Sequence, residues 1–254
     1  MGTVIRLALL GPVRAWRDGI ELDIGSPQQR ALLALFALRG GESMTWEQLS
    51  DALWADEAPP SAATTIRTYV YKLRRVLGAE VLASSPGGYS LAAGSVNVDL
   101  AWFCRLVEEA RALRDEGNLE QAGLRLDGAK SLWRGTALAG AHGHYVAAKR
   151  RWLEELRLGA LEERFSAALE LDEHAVLLAE LAEAVAAHPL RERMRESLML
   201  ALYRAGRQAE ALGAYQELRL LLRDELGIDP GTQLQSLYQR ILRADPALLG
   251  CRVH

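Results

Sequence analysis

The sequence predicts a mainly α protein with a small β component, organised as an N-terminal domain of short strands and helices (residues 1–95), an all-α domain (96–245) and a tail (246–254). Three observations predict it. The composition is 50% hydrophobic but only 6% aromatic, and it is dominated by Leu and Ala, which favour helix. Short alternating runs of the kind that form strands are confined to the first 95 residues. Beyond Val98, helical spacing of apolar residues runs almost to the end, broken only by Gly and Pro stop signals.

The elements follow in order. Val4 to Leu10 is a short apolar run ended by Gly11-Pro12. Val13 to Trp16 alternates and stops at Asp18-Gly19, a hairpin signal, and Ile20 to Ile24 alternates again. These are three short antiparallel strands. Ser26 suits an N-cap, Pro27 the first helical turn, and Gln29 completes a capping box. That helix passes through Arg30–Phe36 and stops at Gly40-Gly41. Thr45 and Gln48 make a second capping box for a helix over Trp46–Trp54, which buries Leu49, Leu53 and Trp54. Asp56 to Pro60 is a loop. A third helix begins at Ser61 and runs to Leu77. Val81-Leu82 and Tyr89-Ser90-Leu91 then form a small hairpin around Ser84–Gly88.

The third helix carries the chemistry. At 100° per residue, Ala62, Ile66, Val70, Leu73 and Leu77 share one side. Thr64, Thr68, Tyr71, Lys72 and Arg75 share the other, with Arg67 and Arg74 on its flank. Every charge on the helix is positive, whereas a merely solvated face mixes both signs. Arg and Lys neutralise phosphates or pair with guanine, and a Thr methyl can touch thymine. Three strands, three helices and a hairpin make a helix-turn-helix with a trailing wing. The third helix would enter the major groove, and the wing would reach the adjacent backbone or minor groove. The leading strands resemble the OmpR-type winged helix. The alternative is a protein-binding winged helix, against which the cationic third helix argues.

The second domain reads as successive helices: a first from Leu100 to Leu113, then Leu119–Trp133, Tyr145–Leu171, Glu173–Ala187, Leu190–Ala205, Ala209–Leu226 and Thr232–Arg243. Gly117-Asn118-Leu119-Glu120-Gln121-Ala122 and Gly206-Arg207-Gln208-Ala209-Glu210-Ala211 form a weak repeat, each a helix-breaking Gly with a small residue five positions on. That spacing resembles tetratricopeptide helix pairs, which bind peptides or partner proteins. The alternative is a bundle that only holds a dimer together.

Charge and composition exclude several classes. The net charge is −3, so no global basic field marks a nucleic-acid binder. Residues 1–95 carry nine Lys/Arg and nine Asp/Glu, and the cations concentrate between Arg67 and Arg75. A local patch of this kind suffices for DNA. Two cysteines, Cys104 and Cys251, suggest neither a disulfide framework nor a metal clip, which points to a reducing cytoplasm. The N-terminal apolar run is too short for a signal peptide or a membrane span. His142-Gly143-His144 is the only close histidine pair and lacks a placed third ligand, so no metal is expected. His188, before Pro189, reads as a helix-end residue. No GxSxG, HExxH or Cys–His arrangement points to an enzyme, and no cofactor is expected.

The chain resembles the Streptomyces antibiotic regulatory protein family, activators that join an OmpR-type winged helix to a bacterial transcriptional activation domain. The motifs that carry the likeness are LLGPVRAWRDG (9–19), GSPQQRALLALFALRGG (25–41), TIRTYVYKLRRVLG (65–78), PGGYSL (86–91), LWRGTAL (132–138), HPLRERM (188–194), ALYRAGRQAEAL (201–212) and DELGIDPGTQLQSLYQRIL (224–242). The resemblance implies a cytoplasmic, nucleoid-associated transcription activator that controls antibiotic or secondary-metabolite genes. Its partners would be double-stranded promoter DNA, bound at direct repeats near the −35 element by two side-by-side protomers, and RNA polymerase holoenzyme with its sigma factor. Carried over, Thr64, Arg67, Thr68, Tyr71, Lys72, Arg74 and Arg75 read bases and phosphates, and Gly87, Gly88 and Tyr89 contact backbone or minor groove. The turn holding Trp54, Asp56, Glu57, Pro59 and Pro60 would touch sigma, its acidity suiting a basic surface and its prolines lowering the entropy lost on binding. No GxxxxGK[ST] phosphate loop is present, so the ATPase module of long relatives is not in this sequence. The chain fits either a short relative or the N-terminal piece of a long one.

Overall fold

The computed structural model describes residues 5–85, 87–92, 94–172 and 174–249. Val4, Pro86, Glu173, Cys251 and His254 lie outside the described residues. The fold has two compact units. One comprises the residues up to Glu108 with Gly128–Leu158, and the other comprises Glu109–Asp127 with the residues from Gly159 on.

The strands of the first unit are β1 (Ile5–Ala8), β2 (Arg14–Arg17), β3 (Ile20–Leu22), β4 (Met44–Thr45), β5 (Leu82–Ser85), β6 (Gly88–Leu91) and β7 (Val96–Val98), and its three leading helices are α1 (Pro27–Leu38), α2 (Trp46–Trp54) and α3 (Ala62–Leu77). The first sheet has the order β3-β2-β1-β7 and the second β4-β6-β5. In the first, Leu7 stands opposite Ala15 on β2 and Val98 on β7. Ile5, Leu7 and Ala15 are buried, while Arg6 points the other way and lies 4.3 Å over the ring of Trp16, its cross-strand neighbour.

Both capping boxes form. The Ser26 hydroxyl accepts the Gln29 backbone N–H at 3.3 Å, and the Gln29 side-chain oxygen accepts the Ser26 N–H at 3.1 Å. Thr45 and Gln48 repeat the arrangement at 3.3 and 3.0 Å. Leu32, Leu35 and Phe36 of α1, Leu49 and Leu53 of α2, and Ile66, Val70, Leu73 and Leu77 of α3 make the core between the helices.

The structure corrects the sequence reading in three places here. Residues 94–98 are not a plain joint, because β7 pairs in parallel with β1, and Ile5 N–H adds a bond to Ser95 O at 3.1 Å. Trp54 is half-buried rather than a core residue. The start of the expected loop is wound into a 3-10 turn, Ala55–Glu57, entered through Ala55 at φ 49°.

The segment after α5 also belongs to this unit. Arg134 N–H donates to Leu10 O at 2.7 Å, Leu138 N–H to Leu9 O at 2.9 Å, and Val13 N–H to Ala139 O at 3.0 Å. The Leu9–Val13 run is thereby sewn to residues 134–139. Gly11 is required in this seam, since a Cβ there would sit 2.9 Å from Arg134 O. Asp99 closes it. Its carboxylate is buried and accepts from Leu9 N–H at 2.8 Å, Leu10 N–H at 3.3 Å and Arg134 Nη2 at 2.9 Å. Burial pushes its pKa above the ordinary carboxylate value, while the two amides and Arg134 pull it down.

The remaining helices are α4 (Asp99–Asp115), α5 (Leu119–Ser131), α6 (His144–Glu170), α7 (His174–Ala187), α8 (Glu192–Arg204), α9 (Gln208–Leu226) and α10 (Thr232–Leu242). The unit boundary falls within α4, α5 and α6. In the second unit α8 packs against α7, α9 and α10. The weak sequence repeat is a structural one. After α4, Gly117 N–H bonds Arg114 O and Asn118 N–H bonds Leu113 O. After α8, Gly206 N–H bonds Tyr203 O and Arg207 N–H bonds Leu202 O. Both are the paired bonds of a Schellman stop, with each Gly at positive φ (79° and 75°). The small residues five positions on, Ala122 and Ala211, are fully buried, which lets the next helix approach closely. Residues 246–249, read as the start of a tail, form a 3-10 turn that buries Leu248, whose carbonyl accepts from Arg204 Nε at 2.9 Å.

Candidate nucleic-acid interface

The interface is built on α3. Its apolar positions, Ala62, Ile66, Val70, Leu73 and Leu77, are buried, and Thr64, Arg67, Thr68, Tyr71, Lys72 and Arg75 are exposed. Burial of one stripe therefore fixes which face the cations present. Tyr71 is 62% exposed, a large ring left mostly in water. The Thr68 hydroxyl donates to Thr64 O at 2.9 Å, which fixes the rotamer and with it the direction of the methyl group. No carboxylate lies on α3, and among the described residues Arg67, Lys72 and Arg75 form no ion pair. The positive potential of this face is not neutralised from within.

Arg74 is used differently from the other cations. It is half-buried. Its Nε donates to Leu82 O at 2.9 Å, its Nη2 donates to Leu82 O and to Ser84 Oγ at 2.5 and 2.9 Å, and its guanidinium lies 5.2 Å over the Tyr89 ring. It ties α3 to β5 and β6 rather than reaching outward.

The wing is β5 and β6 with the turn between them. Gly87 is exposed at φ 82°, a conformation that favours glycine. Gly88 is buried against β4, where a Cβ would stand 1.8 Å from Met44 O, so only glycine permits the β4–β6 pairing. Tyr89 is half-buried, and its ring meets that of Trp46 edge-on, with centroids 4.9 Å apart. The structure thus brings α3 and the wing together. It also adds Trp46, which the sequence reading placed only as the first residue of the second helix.

The α2–α3 turn lies apart from these cations in sequence and character. Asp56, Glu57 and Pro60 are exposed, and Trp54 and Pro59 are half-buried. Pro59 O accepts Ala62 N–H at 2.8 Å, starting α3 where Ser61 supplies no side-chain cap. In the Gly-rich break, a Cβ on Gly143 would lie 3.3 Å from Ala52 O, and His142 N–H donates to Pro27 O at 3.1 Å, so His142-Gly143-His144 docks the chain onto α1 and α2. Among the described residues no three His, Cys, Asp or Glu side chains could hold a metal, and no helix is long and apolar enough to cross a membrane.

Residues 22–91 match the family described as "Transcriptional regulatory protein, C terminal", and residues 98–242 match the "Bacterial transcriptional activator domain". The chain is 38% identical over 256 residues to regulatory protein DnrI of Streptomyces peucetius, covering 96% of this chain and 94% of DnrI. It belongs to the Streptomyces antibiotic regulatory protein family. A second member of the family is regulatory protein AfsR of Streptomyces coelicolor, 52% identical over 247 residues, 96% of this chain and 25% of AfsR. The chain therefore spans about a quarter of the length of that relative. Among solved structures, Mycobacterium tuberculosis EmbR in complex with a low affinity phosphopeptide superposes with a TM-score of 0.90 at 33% identity, over 95% of this chain and 66% of that one. The family relatives are transcriptional regulators, not enzymes, and the fold is that of the family: a winged helix-turn-helix region followed by an all-helical activator domain.

Proposed function

We propose that this chain is a sequence-specific activator that binds direct repeats near the −35 element of promoters for antibiotic or other secondary-metabolite genes and recruits RNA polymerase holoenzyme. The observation that carries the reading is the exposed face of α3, where cations and hydroxyls stand with no carboxylate on the helix and, among the described residues, no ion pair to Arg67, Lys72 or Arg75. A helix of that kind in the major groove can pair Arg67 or Arg75 with guanine and place Lys72 on phosphate. Gly87, with no side chain at an exposed turn, allows the wing backbone to approach the adjacent minor groove or sugar-phosphate chain. Two side-by-side protomers would occupy the two repeats. The functional division is at about residue 95, with DNA reading before it and activation in 96–245, inside the cytoplasm and on the nucleoid.

The acidic turn is the surface for polymerase. Asp56 and Glu57 are exposed on a short 3-10 turn that Pro59-Pro60 stiffens, so little order has to be gained on docking to a basic sigma surface. The test is footprinting of the purified protein on the promoters nearest its gene, with and without holoenzyme. Protection of two same-facing repeats beside the −35 element, strengthened by polymerase, is the expected result. Protection that excludes polymerase would make the protein a repressor, and no specific protection at low salt would leave it an adaptor.

A further inference from the structure

We propose that Trp46 is a positioning residue for DNA recognition: seated on the wing through its own backbone and ring, it holds Arg67 in its reading conformation. The inference rests on the DNA-binding reading above. Four side chains form a continuous stack along one flank of α3. The Arg67 guanidinium lies 5.0 Å over the Trp46 ring, Trp46 meets Tyr89 edge to face at 4.9 Å, and Arg74 lies 5.2 Å over Tyr89. Arg67 and Arg74 are seven residues apart, two helical turns, and so share a flank. The stack runs cation, ring, ring, cation, from the recognition helix through the start of α2 to the wing and back to the helix.

The backbone supports the same junction. Trp46 N–H donates to Gly87 O at 3.2 Å, directly at the wing turn. Thr45 caps α2 and pairs with Gly88 across β4–β6. Trp46 is therefore fixed by the wing at its backbone and by Tyr89 at its ring, and it offers the other part of its indole to Arg67. Trp is the strongest cation–π partner among the aromatic residues, and a guanidinium stacks flat on it with its N–H groups still directed outward. An exposed Arg with no ion pair otherwise samples many rotamers, and that freedom is lost on binding a base. Holding Arg67 on Trp46 lowers that loss.

This role separates from a merely structural one by its dependence on sequence and on Arg67. The experiment is a double-mutant cycle on the full chain. Its probes are a duplex selected from a random-sequence pool by the parent protein and an unrelated duplex of equal length. The variants are Trp46→Leu, Trp46→Phe, Arg67→Ala and the pairs. Trp46→Leu should weaken the selected duplex about tenfold and the unrelated duplex about twofold or less, and Trp46→Phe about threefold. In the Arg67→Ala background each Trp46 change should cost less than about twofold on the selected duplex. Losses that multiply in the double variants, or equal losses on both duplexes, would overturn the proposal. If Trp46→Leu fails to fold, the Trp46→Phe cycle separates the same outcomes with a smaller signal. Failure of the parent to select any sequence would instead remove the DNA-binding reading, and this role with it.

Discussion

On α3, Arg67, Lys72 and Arg75 face solvent with no ion pair among the described residues, whereas the helices of the second unit pair guanidinium after guanidinium with carboxylates. Arg111 meets Glu163, Arg125 meets Glu109, Arg191 meets Glu162, and Arg164 sits between Asp127 and Glu180. Arg219 and Arg223 both approach Asp229. The two regions use the same side chains for different ends. A paired guanidinium joins helices and presents little net field. An unpaired one on a face cleared of carboxylates is available to phosphate and base edges. The difference explains how a chain of net charge −3 can still offer a local positive surface, as the proposed DNA contact requires. The Asp99–Arg134 ion pair shows that the paired mode also occurs in the first unit, and Arg74, one residue before Arg75, is occupied in a third way, by a carbonyl and a ring.

The largest expected effect breaks a paired site. Asp99→Ala leaves the Leu9 and Leu10 amides and Arg134 without their shared acceptor in a buried seam, and should destabilise the first unit by about 3 kcal/mol. Thermal or urea unfolding checks this, and DNA affinity measured well below the unfolding midpoint should stay within a few-fold of the parent. Loss of affinity without loss of stability would give Asp99 a different role.

Reversing charge on the open face is the next test. Lys72→Glu with Arg75→Glu should lower DNA affinity about a hundredfold or more while leaving the unfolding midpoint nearly unchanged, because neither cation forms an ion pair among the described residues. The milder Arg75→Ala should weaken binding and reduce the slope of log affinity against log salt by about one. An unchanged promoter affinity at moderate salt would remove Arg75 from the interface.

The converse change sharpens the contrast. Arg164 is only 17% exposed and serves two carboxylates. Arg164→Ala should cost about 2 kcal/mol of stability, since it removes a largely buried guanidinium that serves both Asp127 and Glu180. Affinity for DNA should not change. If the arginines of the second unit were also DNA contacts, this variant would bind more weakly at constant stability. A smaller effect, confined to transcription, is expected for Asp56→Ala with Glu57→Ala: binding to promoter DNA is preserved and activation in a reconstituted polymerase assay falls several-fold. Loss of DNA binding would remove the turn from the sigma contact.

What was legible in the sequence was whatever short-range chemistry decides. The capping boxes at Ser26 and Thr45, the hairpin at Asp18-Gly19 and the two faces of α3 are each determined within a few residues, and the structure shows all of them. The repeat at Gly117 and Gly206 was visible for the same reason, since a Schellman stop is a local motif. Distant partners were hidden. β7 is three residues long and owes its existence to β1, some ninety residues earlier. The seam between Leu9–Val13 and residues 134–139 joins two runs whose own patterns read as separate elements. Arg74 sits on the cationic flank by periodicity, but the Leu82 carbonyl and the Tyr89 ring take its guanidinium. Trp46 was missed because helical position says nothing about a ring on another element. Nothing local in the sequence singled it out, because Trp54, Tyr69 and Tyr71 lie in the same segment.

The smallest expected effect is in pH, and it again divides the paired sites by burial. Glu210 is exposed and Asp245 half-buried in the second unit, and hydrogen bonds from Arg207 and Arg240 hold their pKa values below the ordinary range. Such groups favour folding above the unfolded pKa and lose that contribution as pH falls through the folded one. Asp99 has the opposite sign. Burial raises its pKa in the folded state, so the folded carboxyl keeps its proton where the unfolded one, near 3.8, has lost it. Its contribution to stability is fully present below the unfolded pKa and is lost as pH rises through the folded value. Asp99→Asn cannot titrate and keeps the size of the side chain. The difference in unfolding free energy between the parent and Asp99→Asn should therefore move in favour of the parent as pH is lowered from neutral toward 4. The other titrating groups are common to both proteins and cancel in the comparison. A difference that stays flat would mean that the Leu9 and Leu10 amides and Arg134 balance burial; one that moves the other way would mean that they outweigh it, and that this seam behaves like the Arg207–Glu210 and Arg240–Asp245 pairs of the second unit.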